Sequence, residues 1–187
     1  MKKNLILTLV LCAAPVVAAP ALTLKPVPQQ KAITVAGEYT IYDQDQADDK
    51  AYGITLKYDS VLDSWDNGNY WSWNAAFNYS SGTTENGNGN ADYNTMALRF
   101  GIDANIVTSK KLTVFVGPRI GVQQVEPDGG GDSENALMYG FAAGIRYITN
   151  GGTNVEVGYL RSFYDFSEDA WGVQSSNAIY AGVSFGF

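Results

Sequence analysis

The sequence predicts an all-β fold, an eight-stranded antiparallel up-and-down transmembrane β-barrel. Three observations predict it. From residue 31 onward apolar and polar residues alternate with period two, and no convincing helical stripe interrupts them. The alternating stretches number eight, and an even count lets an antiparallel sheet close on itself. Their connections switch regularly between long polar loops and tight turns, the asymmetry of a barrel with one face of loops and one of turns.

The elements follow in order. Residues 1–21 read as a secretory signal peptide: Lys2 and Lys3, an apolar run from Leu5 to Ala14, then small residues. The run is too short for a spanning helix. Cleavage fits after Ala18, Ala19 or Ala21, the last reading A-P-A. Cys12 follows Leu11 rather than a small residue, so a lipid anchor there is not expected. Residues 22–30, with Pro26 and Pro28, form a short extended lead-in on the periplasmic side. The barrel occupies 31–187. Its strands are expected at 31–42, 50–62, 70–80, 92–107, 112–125, 136–149, 153–166 and 175–187. Each has about ten residues or more, enough to cross a bilayer at a tilt. DQDQADD, SGTTENGNGNA, EPDGGGDSEN and SEDAWGVQ make the long loops, and DSWDNGN, TSKK and NGG the turns.

The last strand states which face is greasy. Ile179, Ala181, Val183, Phe185 and Phe187 share one side, and Tyr180, Gly182, Ser184 and Gly186 the other. Strands three, four and six split in the same way. A soluble lipocalin-type barrel would turn the bulky side inward around a ligand. Here the second face is rich in Gly and Ala, which suits a narrow lumen and makes a poor solvated surface. Trp71, Trp73, Tyr79, Tyr139 and Tyr147 lie toward strand ends on the apolar side, where interfacial girdles belong.

Composition removes several functions. The 187-residue chain has no His and a single Cys, which excludes Ser-His-Asp and Cys-His relays and most zinc sites. Loss of Lys2 and Lys3 with the leader takes the charge from 12 − 19 = −7 to 10 − 19 = −9, so nucleic acid is a poor partner. No disulfide is available without Cys12. No cofactor is expected.

The signal peptide, the eight strands, the alternation of turn and loop, and the closing YAGVSFGF resemble the small outer-membrane barrels of Gram-negative bacteria. These include the transmembrane domain of outer-membrane protein A, the OmpX type and the opacity-like surface proteins. The resemblance covers nearly the whole mature chain and places it in the cell outer membrane, with outer-membrane lipid as its surroundings. It implies that Ile179, Val183, Phe185 and Phe187 form the signal read by the membrane barrel-assembly machinery. It does not extend to the peptidoglycan-binding domain of larger members, which is not expected here.

Parity assigns a charged lumen. Lys57, Arg99, Arg119 and Arg146 point inward with Glu38, Asp59, Asp103 and Glu156, and buried charges need partners. One pair follows from register: a three-residue NGG turn pairs residues summing to 302, and 146 + 156 is 302. Arg146 is therefore expected opposite Glu156. Arg161 has lipid parity, so either it lies near the outer headgroups or a bulge shifts the register. Pro118 lacks a ladder donor and hints at another bulge.

Thirteen of nineteen carboxylates crowd the long-loop end, a field that attracts divalent or cationic partners. Asp43, Asp45, Asp48, Asp49, Asp128, Asp132 and Glu134 are weak calcium candidates without EF-hand spacing; a solvated acidic surface is the simpler reading. Three functions remain. The leading one is a non-enzymatic structural or surface-interaction barrel with acidic extracellular loops. The second is a narrow pore for ions or small solutes, although eight strands enclose only enough room for side chains. The third is a lipid-modifying enzyme, but barrels of that kind resemble His-dependent catalysts and this chain offers no His.

Overall fold

A computed structural model describes residues 31–44, 48–65, 67–86, 89–128, 133–149, 153–166 and 173–187. Eight strands run β1 (Lys31–Gln44), β2 (Asp48–Ser64), β3 (Tyr70–Asn86), β4 (Gly89–Val107), β5 (Leu112–Pro127), β6 (Glu134–Ile148), β7 (Thr153–Phe166) and β8 (Val173–Gly186). Each pairs antiparallel with its sequence neighbour, and β8 closes on β1. Among the described residues every strand thus has a neighbour on both sides, the condition for strands in hydrocarbon. The expected all-β barrel is therefore the observed one. The leader and lead-in assigned to residues 1–30 lie outside the described residues.

The barrel's stagger can be read from its ladders. Starting at Ile33 and crossing Tyr58, Ala75, Phe100, Ile120, Tyr139, Phe163 and Ser175 returns to β1 at Asp43. The return is displaced by 43 − 33 = 10 residues. Because ten is even, inward and outward faces agree when the sheet closes. For eight strands this stagger corresponds to a tilt of about 40°.

Several strands outrun their sequence-expected ends. β3 and β4 continue to Asn86 and Gly89, which pair with each other. The continuation is polar on its outward face, with Ser81, Thr83, Asp92 and Asn94. Apolar alternation marks only the part of a strand that meets lipid, whereas the hydrogen-bond ladder continues into water. The loops at this end are shorter as a result.

The outward face is apolar. Leu56, Phe77, Phe100, Ile120, Phe141, Ile179 and Phe185 are all exposed, a surface that only acyl chains solvate well. Aromatic pairs flank this band. Tyr58–Trp73 and Trp65–Trp71 lie at the short-turn end, and Tyr39–Tyr52 and Tyr139–Phe163 toward the long-hairpin end.

Neither Pro118 nor Arg161 marks a register shift. Register shifts occur at Val61/Asp63 on β2 and at Asp43/Gln44 on β1. Around Pro118 the β4–β5 ladder is interrupted but resumes in the same register, with Gly101 opposite Arg119 and Ala104 opposite Val116. Pro118 has no N–H to donate, and its carbonyl accepts from Arg119 Nη1 at 2.9 Å instead. A side chain thus replaces a ladder bond, and no extra residue is needed. β7 keeps one register throughout, so Arg161 faces outward as its parity requires. At the β2–β3 turn the Trp65 carbonyl accepts from the Gly68 N–H at 2.9 Å; Gly68 has φ 88°, a left-handed conformation that glycine adopts without strain.

Candidate functional site

Inward-facing residues build three ion-paired groups stacked along the barrel. Nearest the short turns, Glu156 is fully buried and accepts four hydrogen bonds. Arg146 donates from Nε at 3.0 Å and from Nη2 at 2.8 Å, the Tyr180 hydroxyl donates at 3.1 Å, and Lys57 Nζ donates from β2 across the lumen. Asp59 lies 3.3 Å from Lys57 and 3.6 Å from Arg146. Arg146 also donates to the Tyr70 hydroxyl at 3.1 Å. The buried Phe115 ring lies 5.3 Å from Lys57 Nζ and 5.6 Å from the Arg146 guanidinium carbon, which places both cations against an aromatic face.

In the second group Arg119 meets Asp103 through two hydrogen bonds of 2.7 and 3.0 Å. The same carboxylate accepts from Asn74 at 2.8 Å. The third group joins β1 to β4: Arg99 Nη2 lies 2.8 and 3.1 Å from the two oxygens of Glu38, which also accepts from Thr55 at 2.6 Å. The groups hold two cations and two carboxylates, then one of each, then one of each. Each is neutral within itself, which lowers the penalty of placing eight charges in a narrow interior.

Glycine makes room for these side chains. A Cβ at Gly144 would strike the Phe115 ring, one at Gly158 the Tyr180 ring, and one at Gly101 the Arg119 side chain. Bulk on one strand thus lies over a missing side chain on another. Above the Glu38–Arg99 pair, Tyr42, Tyr93, Val125 and Val173 form a buried apolar cluster with Tyr164 packed against it. Among the described residues, cavities of about 30 and 10 Å³ lie along the lumen, both lined by Glu38 and Arg99. Each has room for only about one or two water molecules.

All eight lumen residues named from parity are buried in the interior. Sequence reasoning did not single out Tyr70, Asn74, Thr55, Asn105, Phe115 or Tyr180 as members of the network. Their signal was present: all have inward parity and are large or polar side chains on faces that also carry Gly and Ala, and Asn105, which accepts from Arg146 Nη1 at 3.4 Å, lies two residues from Asp103.

The calcium candidates are dispersed. Asp43 faces outward and pairs with Arg161 at 2.7 Å, whereas Asp49, on the opposite face, is buried inside. Asp128 accepts from Asn94 at 3.3 Å, and Glu134 begins β6. Asp45 and Asp132 lie outside the described residues, as does the side chain of Asp48. No cluster of three or more potential metal ligands occurs among the described residues. Ile179, Val183, Phe185 and Phe187 are exposed along the outer face of β8.

A closed eight-stranded barrel with an apolar outer wall and a charged, filled interior defines a small outer-membrane barrel. The family model for the outer membrane protein beta-barrel domain matches residues 9–187. The chain belongs to that family, and its place is the outer membrane of Gram-negative bacteria. Curated proteins offer no match. Among solved structures, Neisserial surface protein A is similar with a TM-score of 0.68 at 12% identity, covering 84% of this chain and 97% of that one. The attachment invasion locus protein Ail of Yersinia pestis has a TM-score of 0.52 at 15% identity, covering 83% and 97%. OprG of Pseudomonas aeruginosa has 0.50 at 12%, covering 84% and 96%. Ail has also been solved in complex with the heparin analogue sucrose octasulfate. At these identities the likeness is one of fold.

Proposed function

We propose that the protein is a non-enzymatic outer-membrane barrel with a structural or surface-interaction role, its lumen closed by internal ion pairs and its acidic hairpins displayed outside the cell. One observation supports the reading: among the described residues three ion-paired groups and an aromatic cluster follow one another along the lumen, with water-sized cavities beside the Glu38–Arg99 pair. A wall of this kind resists solute flow and holds the sheet rigid. The barrel-assembly machinery would engage Ile179, Val183, Phe185 and Phe187, which lie together on the outer face of the closing strand. The excess of carboxylates at the hairpin end favours divalent or cationic surface partners over the polyanion class that Ail accommodates.

Planar-bilayer recording of the purified barrel tests the closed lumen. The expected result is a flat baseline for the wild type and for a variant with loop carboxylates changed to amides. Binding of a fluorescent polycationic peptide to cells should fall several-fold in the amide variant. Reproducible unitary conductance steps from the wild type would replace this reading with the narrow pore.

A further inference from the structure

The turn end of the barrel carries two cations that the lumen network does not use. Lys110 and Lys111 stand side by side in the β4–β5 turn, both exposed. The turn is braced: the Thr108 and Ser109 N–H groups donate to the Leu112 carbonyl at 3.0 and 3.2 Å, and the Ser109 hydroxyl accepts from the Leu112 N–H at 3.1 Å. The Lys111 carbonyl accepts from the Ile148 N–H at 2.8 Å, which ties the turn to the foot of β6. Both ammonium groups therefore lie at the lower edge of the apolar wall.

The other charges at this end fall elsewhere on the rim. Lys31 opens β1 beside the chain terminus, its carbonyl accepting from the Phe187 N–H at 3.0 Å, so the terminal carboxylate offsets it. Asp63 is exposed near the end of β2, opposite Trp71 and two strands from the β4–β5 turn; Asp66 lies outside the described residues. Along β4, β5 and β6 the outward positions below the hairpin end carry no charge. The local field at the β4–β5 turn is that of its two lysines.

Above the turn the wall is recessed. Ala104, Val116 and Ala143 stand opposite one another on outward positions of β4, β5 and β6. The same row continues to Trp71 on β3 and Tyr159 on β7. Two rings thus bound a floor of small side chains, roughly 10 Å wide between β4 and β6. Val116 lies 116 − 112 = 4 residues above Leu112 on β5, a rise of roughly 13 Å along the strand. A floor of that width takes two hydrocarbon chains side by side, and its height sets the head of the same molecule at the lysines.

We propose that the β4–β5 turn and the recess above it bind an anionic glycerophospholipid, its phosphodiester on Lys110 and Lys111 and its acyl chains between Trp71 and Tyr159. Basic residues at a bilayer surface favour anionic lipid, and a headgroup with its own ammonium would set a third cation beside the two lysines. The leaflet rests on the orientation proposed above: with the acidic hairpins outside the cell, the turns meet the periplasmic leaflet, the one built of glycerophospholipid.

Native mass spectrometry of the detergent-purified full chain, with equimolar phosphatidylglycerol, phosphatidylethanolamine and phosphatidylcholine of identical acyl chains, provides the test. The wild type should retain phosphatidylglycerol about tenfold over each competitor, and Lys110→Gln with Lys111→Gln should remove the preference. Ala104→Phe with Ala143→Phe keeps both lysines but fills the recess, and should lower the phosphatidylglycerol retained several-fold in a barrel of normal heat-modifiable mobility. Equal retention of the three lipids by the wild type overturns the proposal, as does a preference that survives the double lysine variant or retention that the filled recess leaves unchanged. Sedimentation with peptidoglycan sacculi that depends on the lysines, without any lipid preference, overturns it in favour of a cell-wall contact. The leaflet is read separately from Lys110→Cys in a Cys12→Ser background: a maleimide too large for porins should label it only after the outer membrane is permeabilised. Labelling of intact cells would overturn the orientation and the leaflet, whereas the lipid ratios in detergent do not depend on either.

Discussion

Glu156→Ala perturbs the interior where most of its partners converge. The carboxylate is fully buried and is the shared acceptor for Lys57, Arg146 and Tyr180. Its removal leaves two buried cations facing only Asp59, at 3.3 and 3.6 Å, so the group changes from neutral to one net positive charge. Breaking a buried pair by deleting one partner destabilises by about 3–5 kcal/mol. Deleting Arg146 together with Glu156 restores neutrality, because Lys57 and Asp59 remain as a matched pair. The double variant should therefore be less destabilised than Glu156→Ala alone, by about 1–3 kcal/mol. Glu156→Gln should fall between wild type and Glu156→Ala, since the amide retains volume and an acceptor oxygen while losing the charge. Reversible urea unfolding in lipid vesicles, followed by tryptophan fluorescence and by gel mobility without boiling, measures these three variants and Arg146→Ala against wild type. Additive losses in the Arg146/Glu156 cycle would refute the charge-count argument and mean that lumen water screens the group.

Three further outcomes follow from the packing. Gly158→Val should lower the urea midpoint sharply because its side chain would enter the Tyr180 ring, whereas Gly37→Ala, with open space outside, should leave it nearly unchanged; matched midpoints would undo the packing argument. Pro118→Ala restores an N–H opposite Ile102, so hydrogen exchange of β4 and β5 amides beside the gap should slow, with a gain of about 0.5–1.5 kcal/mol; unchanged exchange would mean that Arg119 holds the gap open unaided. Phe187→Ala removes a 69% exposed ring from the end of the chain and should slow appearance of the folded, heat-modifiable band in cells while leaving the stability of barrel refolded in vitro within about 1 kcal/mol of wild type; an equal loss in both assays would assign Phe187 to stability rather than to recognition.

How much was legible in the sequence depends on the distance over which each feature is determined. Arg146 opposite Glu156 was legible because a three-residue turn fixes the β6–β7 register, and every pair in that ladder sums to the same number. Lys57 on Glu156 was not, since β2 and β7 share no ladder and meet only across the lumen, 99 residues apart in sequence. Placing them together requires the stagger of ten, which accumulates over all eight ladders. The strand ends were obscured for a different reason. Thr83 and Asp92 form a cross-strand hydrogen bond of 2.8 Å above the apolar band, where neither side chain faces hydrocarbon and the alternation that marks a strand disappears.

The same distinction explains why Pro118 looked like a bulge and is not. A proline in a ladder signals a missing donor, and from sequence an inserted residue is the usual way to absorb it. The alternative needs a side chain long enough to fold back onto the proline carbonyl and a vacancy on the next strand to receive it. Arg119 supplies the first, and Gly101, directly opposite Arg119 in the ladder, supplies the second. Arg119 then bonds Asp103 on the same strand as Gly101, so the interrupted ladder and the second ion group are one construction. Arg119→Ala should therefore act on both, freeing the Pro118 carbonyl and leaving Asp103 with Asn74 as its remaining side-chain donor. It should speed amide exchange along β4 and β5 more than Arg99→Ala does, although Arg99 is also paired to a single carboxylate. Equal local effects from the two variants would separate the gap from the ion pair and remove the reason for Arg119 to follow Pro118.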